Sequence, residues 1–160
     1  MKNPQKSGQI SKAPAGHMLT EESLVAVPIS GLRASAGSKE NGSPVAGLKT
    51  TVARRALVAP KLWCPHPANT VCMQVSGGSM EPYLQDGYLI VVDKKQNDRK
   101  KLSGKIVVAQ HNKSGLAVSR YWNLHGSESF IPDNHKYEPV SWNSSWKITG
   151  KVLWWIGHSD

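Results

Sequence analysis

Phenylalanine occurs once in this chain of 160 residues, and cysteine only twice. Two cysteines cannot build a disulfide framework, so Cys64 and Cys72 read as free thiols in a cytoplasmic protein. With His66 they form at most three ligands and no Cys-x-x-Cys pair, so neither a metal nor any other cofactor is expected. Long apolar runs are lacking too. None approaches the ~20 residues that cross a bilayer, and Lys2 to Lys12 is polar where a secretory signal would be apolar. Helix-length amphipathic segments are hard to find, which leaves no helix-turn-helix. Acidic residues are few: 11 Asp and Glu stand against 20 Lys and Arg, a net charge of +9. That balance favours anionic partners, nucleic acid first. The positive charge is scattered, however, and its densest run, Lys94 to Lys101, has no interleaved aromatic and reads as a solvated loop.

What is present is β-type text. Residues 1–22 are rich in Lys, Ser, Gly, Pro and Gln and read as a disordered tail. Residues 23–50 read as a flexible arm. Its apolar run, Leu24 to Ile29, suggests a small strand. From residue 51 to 160 short runs rich in Val, Ile, Trp and Tyr recur between turn signals: Thr70 to Val75, Tyr88 to Asp93, Lys105 to Gln110, Leu116 to Trp122, Ser127 to Ile131 and Lys147 to Ile156. Asn112 to Gly115 reads as a hairpin turn, and Met80 to Leu84 could hold one helical turn. The fold expected is mostly β, compact, with many short strands closing on themselves. Trp142, Trp146, Trp154 and Trp155 are expected in the core and at a dimer interface rather than as stacking platforms for bases. His111, His125 and His135 lack a carboxylate at suggestive spacing, which argues against a Ser-His-Asp triad.

One segment carries chemistry. In Val75-Ser76-Gly77-Gly78-Ser79-Met80-Glu81-Pro82, a β-run ends in two glycines, which allow a sharp turn and leave room beside the next side chain. Ser79 would stand at a strand end with little steric cover. Backbone N–H groups of the turn, around Gly78 and Met80, could form an oxyanion hole. Asp86-Gly87 then supplies a turn into the next strand. On these residues alone a serine after glycines in a turn is more often structural than catalytic.

The segment resembles the signature of the LexA/UmuD family of self-cleaving repressors and mutagenesis proteins, which are related to signal peptidases. The resemblance rests on Ser79-Met80, Asp86-Gly87 and Leu89 to Asp93. It continues through Gly104 to Ala109, through Phe130-Ile131-Pro132-Asp133-Asn134 with Tyr137-Glu138-Pro139, and through Ile148 to Val152. It implies a LexA-type peptidase-like β domain over residues 51–160, with Ser79 as nucleophile. It also implies a homodimer, cleavage of the chain's own N-terminal arm, an activator of the recombinase type, and DNA contact only through a DNA-binding domain that is missing here. Ala36-Gly37, in Gly31-Leu32-Arg33-Ala34-Ser35-Ala36-Gly37, resembles the family's cleavage site, and Ala46-Gly47 is a second candidate.

The family's general base is a lysine on the strand after the hairpin. A neutral amine is needed to take the serine proton. Here that strand reads Leu116-Ala117-Val118-Ser119-Arg120-Tyr121, and Ser119 occupies the lysine position. Arg120 stays protonated and points to the opposite face; Lys113 lies in the turn and Lys105 at the start of the preceding strand. Three explanations stay open at this stage: a natural pseudo-peptidase, an engineered change that traps an uncleaved form, or a one-residue shift of register at Asn112 to Gly115. The expected function is therefore a dimerising regulatory domain of a LexA or phage-repressor type, with impaired self-cleavage. The alternatives are an active serine–lysine peptidase captured as a lysine variant and, more distantly, a basic β-barrel that binds nucleic acid.

Overall fold

A computed structural model of the chain describes residues 23–36 and 55–158. Nine strands run in chain order: β1 (Leu24–Ser35), β2 (Ala56–Pro60), β3 (Thr70–Ser76), β4 (Leu89–Asp93), β5 (Lys105–His111), β6 (Gly115–Leu124), β7 (Ser127–Ile131), β8 (Val140–Ser141) and β9 (Trp146–Ile156). They form one sheet in the order β2-β1-β3-β4-β9-β5-β6-β7-β8. A further pairing, Ser35 of β1 with Ala117 of β6, closes six of the strands into a ring. The mostly β expectation is met, and each of the six runs read as strands forms one.

The strand text explains the packing. Thr70 to Met73 and Ile90 to Asp93 are buried without interruption, as expected for strands covered on both faces. Val71, Met73 and Val75 point into one apolar cluster with Met80, Leu84, Ile106, Val108, Leu116 and Val118. Cys72 and Val91 point the other way, into a second cluster with Val27, Ala59 and Cys64. Each fully buried Val or Leu contributes about 1.5–3 kcal/mol relative to exposure. Both thiols are free and buried. Burial pushes the Cys72 thiol up to about 11 and raises that of Cys64.

Trp142 and Trp146 pack against a third cluster with Tyr121 and Phe130, and Trp154 packs against the second. Trp155 remains 40% exposed. The Lys94 to Lys101 segment is a surface loop ending in a short 3-10 turn over Arg99–Lys101. Arg99, though, pairs with Glu128 at 2.8 Å and lies over the Trp142 ring. Met80 to Leu84 forms a turn with one helical hydrogen bond, Leu84 N–H to the Met80 carbonyl at 2.9 Å. The sequence reading did not foresee β2 or β8, nor that β1 runs as far as Ser35. The tail over residues 1–22, the rest of the arm and Ala46-Gly47 lie outside the described residues.

Candidate active site

Ser79 lies just beyond β3 and is 4% exposed. The turn that presents it is fixed at several points. Gly77 has a φ of +94°, and its amide donates to Asp86 Oδ1 at 2.8 Å. The Gly87 amide donates to the Val75 carbonyl at 3.0 Å, which closes the base of the loop. Met80 and Leu84 are fully buried in the same cluster as Ala34 and Ala36. Met80 thus anchors the turn by its side chain, next to the residues that end β1.

Residues Ser35 and Ala36 enter the gap between β3 and β6. Ser35 lies opposite Ser76 on one side and Ala117 on the other. The Ala36 amide donates to the Ser76 carbonyl, and the Ala36 carbonyl accepts from the Ser79 amide at 3.2 Å. A Cβ on Gly77 would collide with that same carbonyl. The glycine is required here twice, for its left-handed φ and for the close approach of another backbone. An N–H aimed at a carbonyl stabilises the negative charge that develops there when a nucleophile attacks. The Ser79 amide is placed to give that help to Ala36. Gly37, the other half of the expected scissile pair, lies outside the described residues.

Ser119 sits on β6 opposite Val107, half-buried. It is two residues beyond Ala117, so the two side chains share a face of the strand. Arg120 turns away into a two-pronged pair with Asp133: Nε to Oδ1 at 2.8 Å and Nη2 to Oδ2 at 2.8 Å, with a third bond to the Gly104 carbonyl at 3.0 Å. The Asp133 hydrogen bonds raise its pKa further, against the opposing pull of burial. It is a cation held in an ion pair and has no capacity to act as a base. Lys113 is exposed in the β5–β6 turn and Lys105 is exposed at the start of β5.

Sequence reasoning missed Asn134, although it lies in a block that carries the family resemblance. Its Nδ2 donates to the Gly78 carbonyl at 2.8 Å, and its backbone amide donates to the Ser79 carbonyl at 2.9 Å. It missed His66 as well. His66 Nδ1 meets Asp93 Oδ2 at 2.7 Å, and Asp93 is fully buried. Burial would raise the Asp93 carboxyl, but hydrogen bonds from His66, Gln96 and the Lys95 amide outweigh it and hold the carboxyl below its usual range. Asp93 pairs with Thr70, at the opposite end of β3 from Ser76. The length of that strand, about 20 Å at 3.3 Å per residue, separates the His–Asp pair from Ser79. No triad is formed.

A profile of the Peptidase S24-like family matches residues 28–153. The chain belongs to that family. The matched span runs from within β1 into β9 and takes in Ala36, Ser79 and Ser119. The chain is also 27% identical to a LexA repressor of Carboxydothermus hydrogenoformans over 165 aligned positions, which cover 96% of this chain and 74% of that protein.

Proposed function

We propose that this chain is the peptidase-like regulatory domain of a LexA- or phage-repressor-type protein, in which Ser79 is the nucleophile and Ala36-Gly37 the bond it faces. The observation that carries the reading is the 3.2 Å bond from the Ser79 amide to the Ala36 carbonyl. It supports the reading because it brings the Ala36 carbonyl to the backbone N–H of the proposed nucleophile. Self-cleavage is impaired because Ser119 occupies the position of the general base. A hydroxyl at 119 accepts no proton near pH 7, and loss of a positioned base costs about 10²–10⁴ in rate. The likeness to a LexA repressor supports a repressor role. Through the same likeness the domain would receive a recombinase-type activator and would contact DNA through a separate DNA-binding domain. Exposed apolar side chains, Leu62 and Trp63 beside β2 and Trp155 and Ile156 on β9, support self-association as a homodimer.

A second reading, a working peptidase captured as its lysine variant, is favoured by the docked arm and the intact Ser79 turn. Alkaline incubation of the unchanged chain tests the first reading. It should yield no fragment ending at Ala36, and such a fragment would refute the loss of the base. Sedimentation of the intact chain should show a dimer; a monomer at high concentration would remove self-association from the proposal.

A further inference from the structure

We propose that Asn134 is a positioning residue for Ser79, held in place through Asp133 by Arg120. The inference rests on Ser79 being the nucleophile that faces Ala36, and it concerns how that geometry is set. A peptide unit is planar and trans, so its C=O and N–H point in opposite directions. The Gly78 carbonyl and the Ser79 amide belong to one such unit. Asn134 Nδ2 holds that carbonyl at 2.8 Å, while the amide on the other side donates to Ala36 at 3.2 Å. Fixing one end of the unit aims the other. The bond also polarises the peptide and strengthens its N–H as a donor. The Asn134 amide holds the Ser79 carbonyl at 2.9 Å, in the next peptide unit. Both units flanking the Ser79 Cα are therefore fixed by one residue, and with them the direction in which its side chain leaves the backbone.

Asn134 is itself well defined. Its Oδ1 accepts from the Lys136 amide at 3.1 Å and its carbonyl accepts from the Tyr137 amide at 3.0 Å. The bond to Lys136 determines which way the amide group lies and leaves Nδ2 facing Gly78. Next to it Asp133 takes both prongs of Arg120. Arg120 follows Ser119 on β6, so the brace joins the turn of the nucleophile to the strand of the base. Its parts are 56 residues apart in sequence at Asn134 and Gly78.

The test uses Asn134→Asp, which keeps the size of the side chain and the bond from Lys136 but presents an acceptor to the Gly78 carbonyl. In the otherwise unchanged chain, hydrogen exchange of the Ser79 amide should speed up about tenfold, while core amides such as Val91 and Val107 keep their protection. In the Ser119→Lys background the same change should slow self-cleavage by about tenfold or more at every pH, because an aimed oxyanion donor is worth roughly 10²–10³. In Asn134→Ala, which adds no charge beside the base, the midpoint of the pH profile should not move. Asn134→Ala provides the same comparison if the aspartate variant folds poorly. Unchanged Ser79 exchange overturns the proposal, and so does equal cleavage with and without the substitution. If Ser119→Lys alone fails to cleave, that counts against Ser79 as nucleophile, and the exchange result alone decides whether Asn134 aims the peptide.

Discussion

Around Ser79 the backbone is tied down residue by residue: the Gly77 amide to Asp86, the Gly78 carbonyl to Asn134, the Ser79 amide to Ala36 and the Ser79 carbonyl to Asn134. Position 119 on β6 is built differently. Its backbone lies in regular register opposite Val107, and its side chain is a small hydroxyl. The side of the proposed nucleophile depends on a turn of unusual geometry and on contacts from remote segments. The side of the proposed base depends on one residue type placed on an ordinary strand. A single substitution can therefore remove the base without disturbing the fold, whereas the turn cannot be altered so lightly.

Restoring the base should have the largest effect. Ser119→Lys is expected to raise self-cleavage after Ala36 by about 10²–10⁴, read as loss of intact chain over time at alkaline pH. Breaking the other side comes next. Gly77→Ala would place a Cβ against the Ala36 carbonyl at a φ of +94°. The backbone strain alone costs about 1–2 kcal/mol, and the collision should expel the arm. In the Ser119→Lys background, cleavage should fall by more than tenfold; cleavage at the parent rate would mean that the docked arm is not the reactive one.

Two further positions lie outside the Ser79 turn and should act mainly on stability: Asp93, at the far end of β3 from Ser79, and Tyr121, two residues beyond Ser119 on β6. Asp93→Ala removes the charged acceptor shared by His66, Gln96 and the Lys95 amide, at a cost of about 1–3 kcal/mol in urea denaturation. The Asp93 carboxyl is lowered in the folded chain. Its stabilisation is therefore complete above the usual carboxylate pKa, about 4, and is lost as the pH falls below it. Asp93→Asn should flatten that acid limb. The smallest effect concerns Tyr121. Burial, and then its bond to Glu128, push its phenol up to about 12. A raised acid contributes stability that is full below the ordinary phenol value of about 10 and is lost as the pH rises towards 12. Tyr121→Phe should keep the ring packing against Phe130 and Trp142 and remove that alkaline slope. Cleavage assays thus have a usable window below about pH 10.

The sequence made some of this legible and not the rest, for reasons that lie in particular residues. β3, β4, β5, β6, β7 and β9 could be read because Val, Ile, Tyr and Trp mark them locally and turn residues bound them. The hairpin at Asn112 to Gly115 was readable from the same chemistry, and Gly115 takes a φ of +83°. The second half of β1, Ser30 to Ser35, has weak strand text. Its conformation comes from pairing with β3 and β6, which are far away in the chain. The Arg120–Asp133 pair, the Asn134 contacts and the His66–Asp93 pair are likewise tertiary, and no spacing rule points to them. The family resemblance singled out Ser79, Ser119 and Ala36, and the structure adds a hydrogen bond between the first and the last.

An intact-mass time course at alkaline pH, run on the unchanged chain, on Ser119→Lys and on Ser79→Ala with Ser119→Lys, tests the central claim most directly. The account predicts that only Ser119→Lys splits, into one fragment ending at Ala36 and another beginning at Gly37. A folded Ser119→Lys chain that stays whole, or an unchanged chain that splits at the same bond, would contradict it.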